Sequence, residues 1–295
     1  MINFNKFYKL FNIISFILML GSILLLIVKG LNFGVDFKGG TLIELRTTNN
    51  EINVTTLRKS FNKMNLGDVN VKKFGKDNDY LIKFEKKDIE PNTIEKIKID
   101  LTNLIGNTFN FRRVENVGPK VSSELLKSGM IAILVSLAAM LFYIWIRFEW
   151  QFSLGAILAL FHDIIITLGF FSLFSLEINL SIVAAVLTIV GYSMNDTVVI
   201  FDRVRENLRK FSDIKIYELT NISINETLSR TIITSVTTLL ALLSIYIFGG
   251  EILKGFSFAM ILGVIFGTYS SIYIANPVLV RLRVSQKTII KEDTD

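Results

Sequence analysis

Six long uncharged runs dominate the pattern of apolar and polar positions along the chain. They cover residues 10–28, 128–146, 150–176, 178–195, 231–250 and 255–280, and the third is interrupted at His162 and Asp163. A helix needs about 20 apolar residues to cross the hydrocarbon layer. The pattern therefore predicts six transmembrane helices. The first lies within residues 1–29, and the others cover residues 128–147, 150–176, 178–201, 231–250 and 255–280, followed by a tail at 281–295.

The first run has features of both a signal peptide and a membrane anchor. It follows Lys6 and Lys9, as the apolar part of a signal peptide would. It is long for that role, however, and no small-residue cleavage pattern follows it at residues 29–31. We therefore expect a retained anchor.

Residues 30–127 are the one sizeable polar segment, and their pattern alternates between strand and helix. Strand-like stretches occur at 41–47, 68–74, 79–85 and 109–117. Helical spacing joins Val54, Leu57, Phe61 and Met64, and a second helix opens at Pro91, with Ile94, Ile97, Leu101 and Leu104 on its apolar side. The order β-α-β-β-α-β predicts a ferredoxin-like domain. The expected fold is an all-α six-helix membrane bundle with an inserted extracytoplasmic α+β domain.

Composition and charge narrow the functional classes. The chain has no cysteine and one histidine, which excludes disulfides and thiolate sites and argues against a histidine-built metal site. The net charge is +6, and the distribution of the basic residues follows the positive-inside rule. Lys254 is the only basic residue in the two short outer loops. We therefore expect cytoplasmic termini, an outer segment at residues 30–127, and no nucleic-acid binding.

Two further patterns concern helix packing. Residues 216–230, IYELTNISINETLSR, lie in the long cytoplasmic connection and predict a short interfacial helix. In the sixth span, small residues recur every four positions and share one face, where they favour close helix contact. They are Gly255, Ala259, Gly263, Gly267, Ser271 and Ala275.

Asp196 is the first candidate for chemistry, because it interrupts a membrane-length apolar stretch. A charged side chain at this depth costs about 3 kcal/mol on insertion scales and commonly marks a proton or ion path. Thr188, Tyr192 and Asp196 are spaced at i, i+4 and i+8, with Asn195 beside them. We expect this polar stripe to face away from lipid. A hydrogen bond that only packs helices is the alternative.

Arg230 is the candidate counter-charge, since it opens the fifth span, which runs antiparallel to the fourth. Hydroxyl residues follow it, including Thr234 and Thr238. A carboxylate, a guanidinium and hydroxyls can hold ordered water, and together they would form a proton relay. An ordinary basic anchor at the membrane surface is the alternative for Arg230.

His162 and Asp163 interrupt the third span. Adjacent helical residues point about 100° apart, so we expect them not to face one partner. Asp163 shares a face with Gly155, Ala159 and Thr167. A proton relay and a structural hydrogen-bond pair both remain open.

The segment FGVDFKGGT, residues 33–41, is glycine-rich but lacks the Gly-Lys-Ser/Thr ending of a phosphate loop. We interpret Gly34, Asp36, Gly39 and Gly40 as a turn or hinge between the first span and the outer domain. No nucleophile–base arrangement occurs in the sequence. We therefore expect no enzyme and no cofactor, with protons as the coupling ion.

Four motifs carry a resemblance to a known family. They are FGVDFKGGT, RFEWQFSLGAILALFHD (147–163), GYSMNDTVVIFDRVREN (191–207) and LSRTIITSVTTLLALLSIYIFGG (228–250). Together they resemble the SecD/SecF family of bacterial protein-export membrane proteins, on the SecF side.

The resemblance implies half of a transporter of the resistance-nodulation-division class in the bacterial inner membrane. Its expected partners are SecD, the SecYEG channel and the translocating preprotein. The proton gradient would drive late steps of export, and the family's membrane aspartate and arginine would fall on Asp196 and Arg230. A non-transporting scaffold for the channel and a small-molecule efflux permease are the alternatives.

Overall fold

The computed structural model describes residues 1–48, 52–67, 69–73, 78–84, 93–106, 108–211 and 214–289. In chain order its helices are α1 (Tyr8–Val28), α2 (Val35–Lys38), α3 (Val54–Asn62), α4 (Thr93–Ile105), α5 (Pro119–Arg147), α6 (Trp150–Leu173), α7 (Leu180–Lys210), α8 (Ile216–Phe248), α9 (Glu251–Ser270), α10 (Asn276–Arg281) and α11 (Gln286–Ile289). A 3-10 turn, Asn5–Phe7, precedes α1, and a π-helical segment, Ser271–Ala275, joins α9 to α10.

Six spans in the described part of the chain are long and apolar enough to cross a membrane, as predicted. They are α1, α5, α6, α7, α8 and the continuous rod formed by α9, the π-helical segment and α10. Half or more of the most apolar stretch of α6, α7 and the sixth span is buried within the chain, whereas α1, α5 and α8 bury far less. The three buried helices therefore form the centre of the bundle.

The helix ends differ from those that hydropathy predicts. Helix α5 begins at Pro119 rather than at residue 128, α7 continues to Lys210, and α8 begins at Ile216 rather than at 231. The separate interfacial helix predicted at 216–230 is therefore wrong, because these residues are the first turns of α8. Arg203 of α7 pairs with Glu226 of α8 at 2.7 Å. Polar contacts of this kind let both helices continue beyond the apolar layer.

The inserted domain contains the predicted β-α-β-β-α-β order. Its strands are β2 (Gly40–Thr47), β3 (Val69–Lys73), β4 (Asp79–Phe84) and β5 (Phe109–Val117), and they pair antiparallel in the order β3-β4-β2-β5. This is the ferredoxin-like arrangement. The predicted strand residues 68, 74 and 85, and the predicted helix start at Pro91, lie outside the described residues.

The core of the inserted domain lies between one face of this sheet and helices α3 and α4. Ile43, Ile82, Leu57 and Leu101 are fully buried there. Leu104 was predicted on the apolar side of the second helix, but it is 42% exposed. It lies one turn beyond Leu101 at the end of α4, past the edge of the sheet-facing stripe.

The small residues of the sixth span pack against α7, as predicted. A Cβ atom on Gly263 would overlap the side chain of Ile189, and one on Gly267 would lie 3.1 Å from Cα of Ser193. Further along the same face, the hydroxyl of Ser271 lies 2.7 Å from that of Thr197. The two helix backbones therefore approach as closely as glycine allows, which is the usual packing solution in lipid.

A short parallel pair connects the bundle to the inserted domain. Strand β1 (Asn32–Phe33) pairs with β6 (Glu177–Ile178), which precedes α7. We call this end of the bundle the domain end. The opposite end, where Ile2 contacts α8 and helix α11 contacts α7, is the terminal end.

Candidate proton-binding site

Asp196 lies within α7 with 3% of its surface exposed. Its Oδ2 accepts a hydrogen bond from the hydroxyl of Thr268 in α9 at 3.1 Å. The Thr268 hydroxyl in turn lies 2.7 Å from that of Ser235 in α8. The carboxylate is therefore connected to two neighbouring helices through hydroxyl groups, which can both donate and accept.

Arg230 lies on the exposed side of α8, one turn before the segment that faces Asp196. Its charge acts on the Asp196 carboxylate through space. Among the described residues, however, no ion pair within 4.0 Å joins the two side chains. The guanidinium is thus a nearby cation for Asp196 rather than a directly bonded partner.

The polar stripe around Asp196 divides into two parts. Tyr192 donates its hydroxyl to the backbone carbonyl of Thr234 in α8 at 3.3 Å. Thr188 and Asn195 lie on the exposed side of α7, so within this chain they do not share the buried surroundings of Asp196. A turn of α-helix has 3.6 residues, so a spacing of four residues slightly exceeds one turn. A stripe with this spacing therefore moves gradually around the helix.

The predicted threonines of α8 have local partners. The hydroxyl of Thr234 contacts the carbonyls of Arg230 and Thr231 at 3.0 Å. The hydroxyl of Thr238 donates to the carbonyl of Thr234 at 2.8 Å. These bonds lie within α8 itself and do not reach Asp196. Sequence reasoning missed Thr268, which bonds to Asp196 and contacts Ser235, one of the hydroxyls that follow Arg230.

His162 and Asp163 form a second polar cluster at the centre of the bundle. His162 Nδ1 lies 2.9 Å from Asp163 Oδ1, and Asp163 Oδ2 accepts from Ser193 of α7 at 2.6 Å and Ser270 of α9 at 2.7 Å. The two side chains bond to each other but face different neighbours, since His162 stacks on Tyr269 and Asp163 bonds to the two serines. Helix α6 is enclosed by α1, α7 and α9, so both of its sides are interior. Neither serine was predicted, and their spacing gave no distinct signal.

The glycine-rich turn is braced against the start of α7. The N–H of Gly34 donates to the carbonyl of Ile178 at 2.8 Å, and Asp36 Oδ2 accepts the N–H of Leu180 at 3.0 Å. Gly39 and Gly40 have φ of 79° and 131°, values that favour glycine. The predicted glycine turn is therefore present, and its hydrogen bonds to Ile178 and Leu180 hold it against the start of α7.

Glu177 connects this turn to the sheet of the inserted domain. Its carboxylate pairs with Lys83 of β4. A Cβ atom on Gly34 would overlap the same carboxylate. The inserted domain, the turn and the start of α7 thus meet at one side chain. The described residues contain no group of three or more His, Asp or Glu side chains that could hold a metal ion.

Comparison with known proteins identifies the family. The model of the SecD/SecF C-terminal region of protein export membrane proteins matches residues 97–285, and the SecD/SecF GG motif matches residues 24–51. The chain belongs to the SecD/SecF family. Within this family it is SecF-like and serves protein export. The GG motif match includes the turn that braces α7.

Relatives of SecF type match along nearly the whole chain. A protein translocase subunit SecF from Rickettsia bellii (strain OSU 85-389) is 47% identical over 279 residues, which are 94% of this chain and 92% of that protein. A SecF subunit from Cereibacter sphaeroides is 42% identical over 282 residues, 92% of this chain and 86% of that protein.

Two solved SecDF structures share the fold. The translocon-associated SecDF of Thermus thermophilus matches with a TM-score of 0.84 and 34% identity over 95% of this chain. A SecDF structure in the super-membrane-facing form matches with a TM-score of 0.70 and 33% identity. In both cases the SecF-like chain spans 38% of the longer SecDF chain.

Proposed function

We propose that this SecF-like chain uses the proton gradient to promote late steps of protein export, with Asp196 as the group that binds the proton. The observation that supports this role is the placement of Asp196. Among the described residues, this carboxylate in an apolar span accepts from the Thr268 hydroxyl of α9, which in turn lies beside the Ser235 hydroxyl of α8. A proton that enters or leaves Asp196 changes how α7, α8 and α9 bind one another.

Two opposing effects make such a site responsive. The hydrogen bond from Thr268 and the charge of Arg230 favour the ionised carboxylate, while exclusion of water favours the protonated one. One elementary charge that crosses 100 mV releases roughly 2.3 kcal/mol. A two-state protein needs about 5.5 kcal/mol to move from 1:99 to 99:1. A few protons per cycle therefore suffice to drive a conformational change.

The expected partner is SecD. Asn195, Thr188 and Arg230 lie on the exposed side of α7 and α8. Polar and charged side chains at membrane depth face protein or water rather than lipid, so this surface requires a protein neighbour. The solved SecDF chains are more than twice as long as the part that this chain matches. A SecD subunit of similar six-helix build would cover the surface.

The wider assembly and the orientation follow the same proposal. The Thermus thermophilus SecDF is described as translocon-associated, and we extend this to the SecYEG channel and the translocating preprotein. The basic residues of the terminal end support an orientation in the bacterial inner membrane with the termini in the cytoplasm and the inserted domain in the periplasm. The role includes no catalytic step and no cofactor other than the proton.

Export into membrane vesicles tests the proposal. Translocation of a secreted protein is started with ATP and completed with or without an imposed proton gradient, using wild-type chain and Asp196→Asn in complex with SecD. Asp202→Asn is the matched control, since Asp202 lies two turns further along α7 and is 42% exposed in its pair with Arg147. Such exposed pairs contribute little to stability.

We expect the gradient to accelerate completion for the wild type and for Asp202→Asn, and to have no effect for Asp196→Asn. Equal acceleration in all three proteins would show that Asp196 only packs the helices, and would favour a scaffold role for the chain.

A further inference from the structure

We propose that His162 and Asp163 form a second proton-binding site, located in a buried polar column that is separate from Asp196. The inference does not depend on the role proposed for Asp196. Asp163 is fully buried, and its carboxylate accepts hydrogen bonds from one imidazole and two hydroxyls. Among the described residues, no lysine or arginine pairs with this carboxylate.

The column continues from Asp163 in both directions. Toward the domain end, Thr167 follows on the same face of α6, one turn or about 6 Å away. Toward the terminal end, Ser271 and Thr197 share a hydrogen bond of 2.7 Å, and Asn276 Nδ2 donates to the carbonyl of Ser271 at 2.7 Å. The side chains of Thr167, Thr197, Ser271 and Asn276 are all completely buried.

Three buried atoms of this column lack a partner in the described part of the chain. They are Oγ1 of Thr167, Nε2 of His162 and Oδ1 of Asn276. Buried polar atoms are nearly always bonded, and ordered water supplies the partner where protein does not. The open atoms lie beside the pair and at the two ends of the column. Water molecules there would connect Asp163 to both ends of the column.

The pair can hold one proton without leaving a net charge in the bundle. When a hydronium ion transfers a proton to the pair, a water molecule leaves, and the proton lies on Asp163 or on the imidazole. Both states give a neutral pair. Ser193 and Ser270 can rotate to donate or to accept, so they fit either state. A fixed cation would hold the carboxylate ionised.

The other ionisable groups near the pair face different partners. Tyr269 of α9 stacks on the imidazole at 5.9 Å, with its hydroxyl 2.7 Å from that of Ser15 in α1. Asp196 of α7 lies three residues past Ser193 and bonds to Thr268 instead. The two carboxylates thus contact α9 at separate hydroxyls, and each can bind its own proton.

A local irregularity of the sixth span lies beside the column. Pro277 has no N–H, so the regular helical ladder cannot continue there, and residues Ser271–Ala275 adopt a π-helical turn. Gly155 of α6 makes room for the displaced carbonyl of Ala275, since a Cβ atom would lie 2.8 Å from that oxygen. Such π turns are common at functional sites. This turn gives the column a backbone that can shift when the pair changes charge.

Infrared difference spectroscopy of the intact chain with SecD in lipid tests this site. Spectra are recorded across pH in H2O and D2O, and the signal is the C=O stretch of a protonated carboxylic acid. We expect a pH-dependent band that shifts in D2O, that disappears in Asp163→Asn and that persists in Asp196→Asn. Spectra in which neither this band nor the ring bands of a protonated His162 change with pH would overturn the proposal, because the pair would then bind no proton.

A second variant covers the case in which Asp163→Asn fails to fold. Ser270→Ala keeps the carboxylate and removes one of its hydrogen bonds, so the band assigned to Asp163 should move to higher frequency. Ser257→Ala is the matched control, since that buried hydroxyl of α9 donates only to backbone carbonyls of its own helix. If neither Ser270→Ala nor Ser257→Ala alters the C=O band, the assignment of the band to Asp163 is wrong. It is also wrong if both variants alter the band equally.

Discussion

The hydroxyl of Thr268 donates to the carboxylate of Asp196 across 3.1 Å, from the helix that packs most closely against α7. The contact is possible because the glycines of α9 bring the two backbones together. A proton on Asp196 removes its negative charge and so weakens the hydrogen bond that Thr268 donates. The protonation state of one buried side chain thereby changes the association of two central helices.

Thr268→Val should weaken the response of export to the proton gradient. Valine keeps the shape of threonine but removes the donor to Asp196 and the link to Ser235. Hydrogen bonds between membrane helices contribute about 0.6–1.7 kcal/mol, which corresponds to roughly 3- to 18-fold in the equilibrium between protonation states. The ratio of export rates with and without a gradient measures the effect.

Thr238→Val is the control for that variant. Thr238 is also a half-buried threonine in a membrane helix, but its hydroxyl bonds only to its own backbone, at Thr234. It should respond to the gradient like the wild type. A Thr268→Val protein that also responds like the wild type would show that the hydrogen bond to Asp196 has no part in coupling.

Asp36→Ala should loosen the connection between the glycine-rich turn and α7. The carboxylate accepts the N–H of Leu180 in the first turn of α7, where the helix has no internal acceptor. Loss of such a cap costs about 1 kcal/mol. Asp36→Asn keeps an acceptor oxygen and should cost less. Protease cleavage between α1 and β2 in membranes compares the three proteins, and equal cleavage would contradict the bracing role.

Gly34→Ala should destabilise the same junction through Glu177. The new methyl group displaces the Glu177 carboxylate from Lys83. Because this pair is partly exposed, we expect a cost of about 1 kcal/mol or less. In a Glu177→Ala background, Gly34→Ala should cause no further loss of stability. A double-mutant cycle based on thermal unfolding measures this coupling between the two residues.

Gly118→Ala is the matched control for Gly34→Ala, since it also lies in extended backbone and a Cβ atom there meets nothing within 4 Å. If both alanines cost the same, the close approach of Glu177 is not responsible.

Gly263→Ala should separate α9 from α7. A Cβ atom there overlaps Ile189, and overpacking of this kind costs about 1–3 kcal/mol. Gly191→Ala, in α7 but with open space around it, should be neutral. Thermal unfolding in detergent compares the two. A neutral Gly263→Ala would show that the sixth-span stripe is not a packing surface.

Hydropathy and spacing predicted the parts of the fold that depend on local pattern. The six spans, the order of elements in the inserted domain and the packing stripe of the sixth span all follow from periodicity. Helix ends did not, because α7 and α8 have 31 and 33 residues and continue past the apolar layer. The apolar sequence pattern ends where the helix leaves the hydrocarbon layer. Beyond that point, ion pairs such as Arg203–Glu226 stabilise the two helices.

The candidate site was predictable only for its charged members. Asp196 and Asp163 are conspicuous because an ionised group in an apolar run is costly. Their partners are Thr268, Ser193 and Ser270, and hydroxyls are common in membrane helices. Which hydroxyl meets which carboxylate depends on how α6, α7 and α9 are rotated against one another. That rotation is a property of the packed bundle rather than of any one span.

Proton binding by Asp196 is tested most directly by measuring proton uptake into vesicles that contain the chain and SecD. A potassium diffusion potential drives protons inward, and a pH-sensitive dye inside the vesicles reports their arrival. We expect uptake with the wild-type chain and with Asp202→Asn, and no uptake above that of empty vesicles with Asp196→Asn. Undiminished uptake by an assembled Asp196→Asn complex would contradict the claim that Asp196 binds the coupling proton.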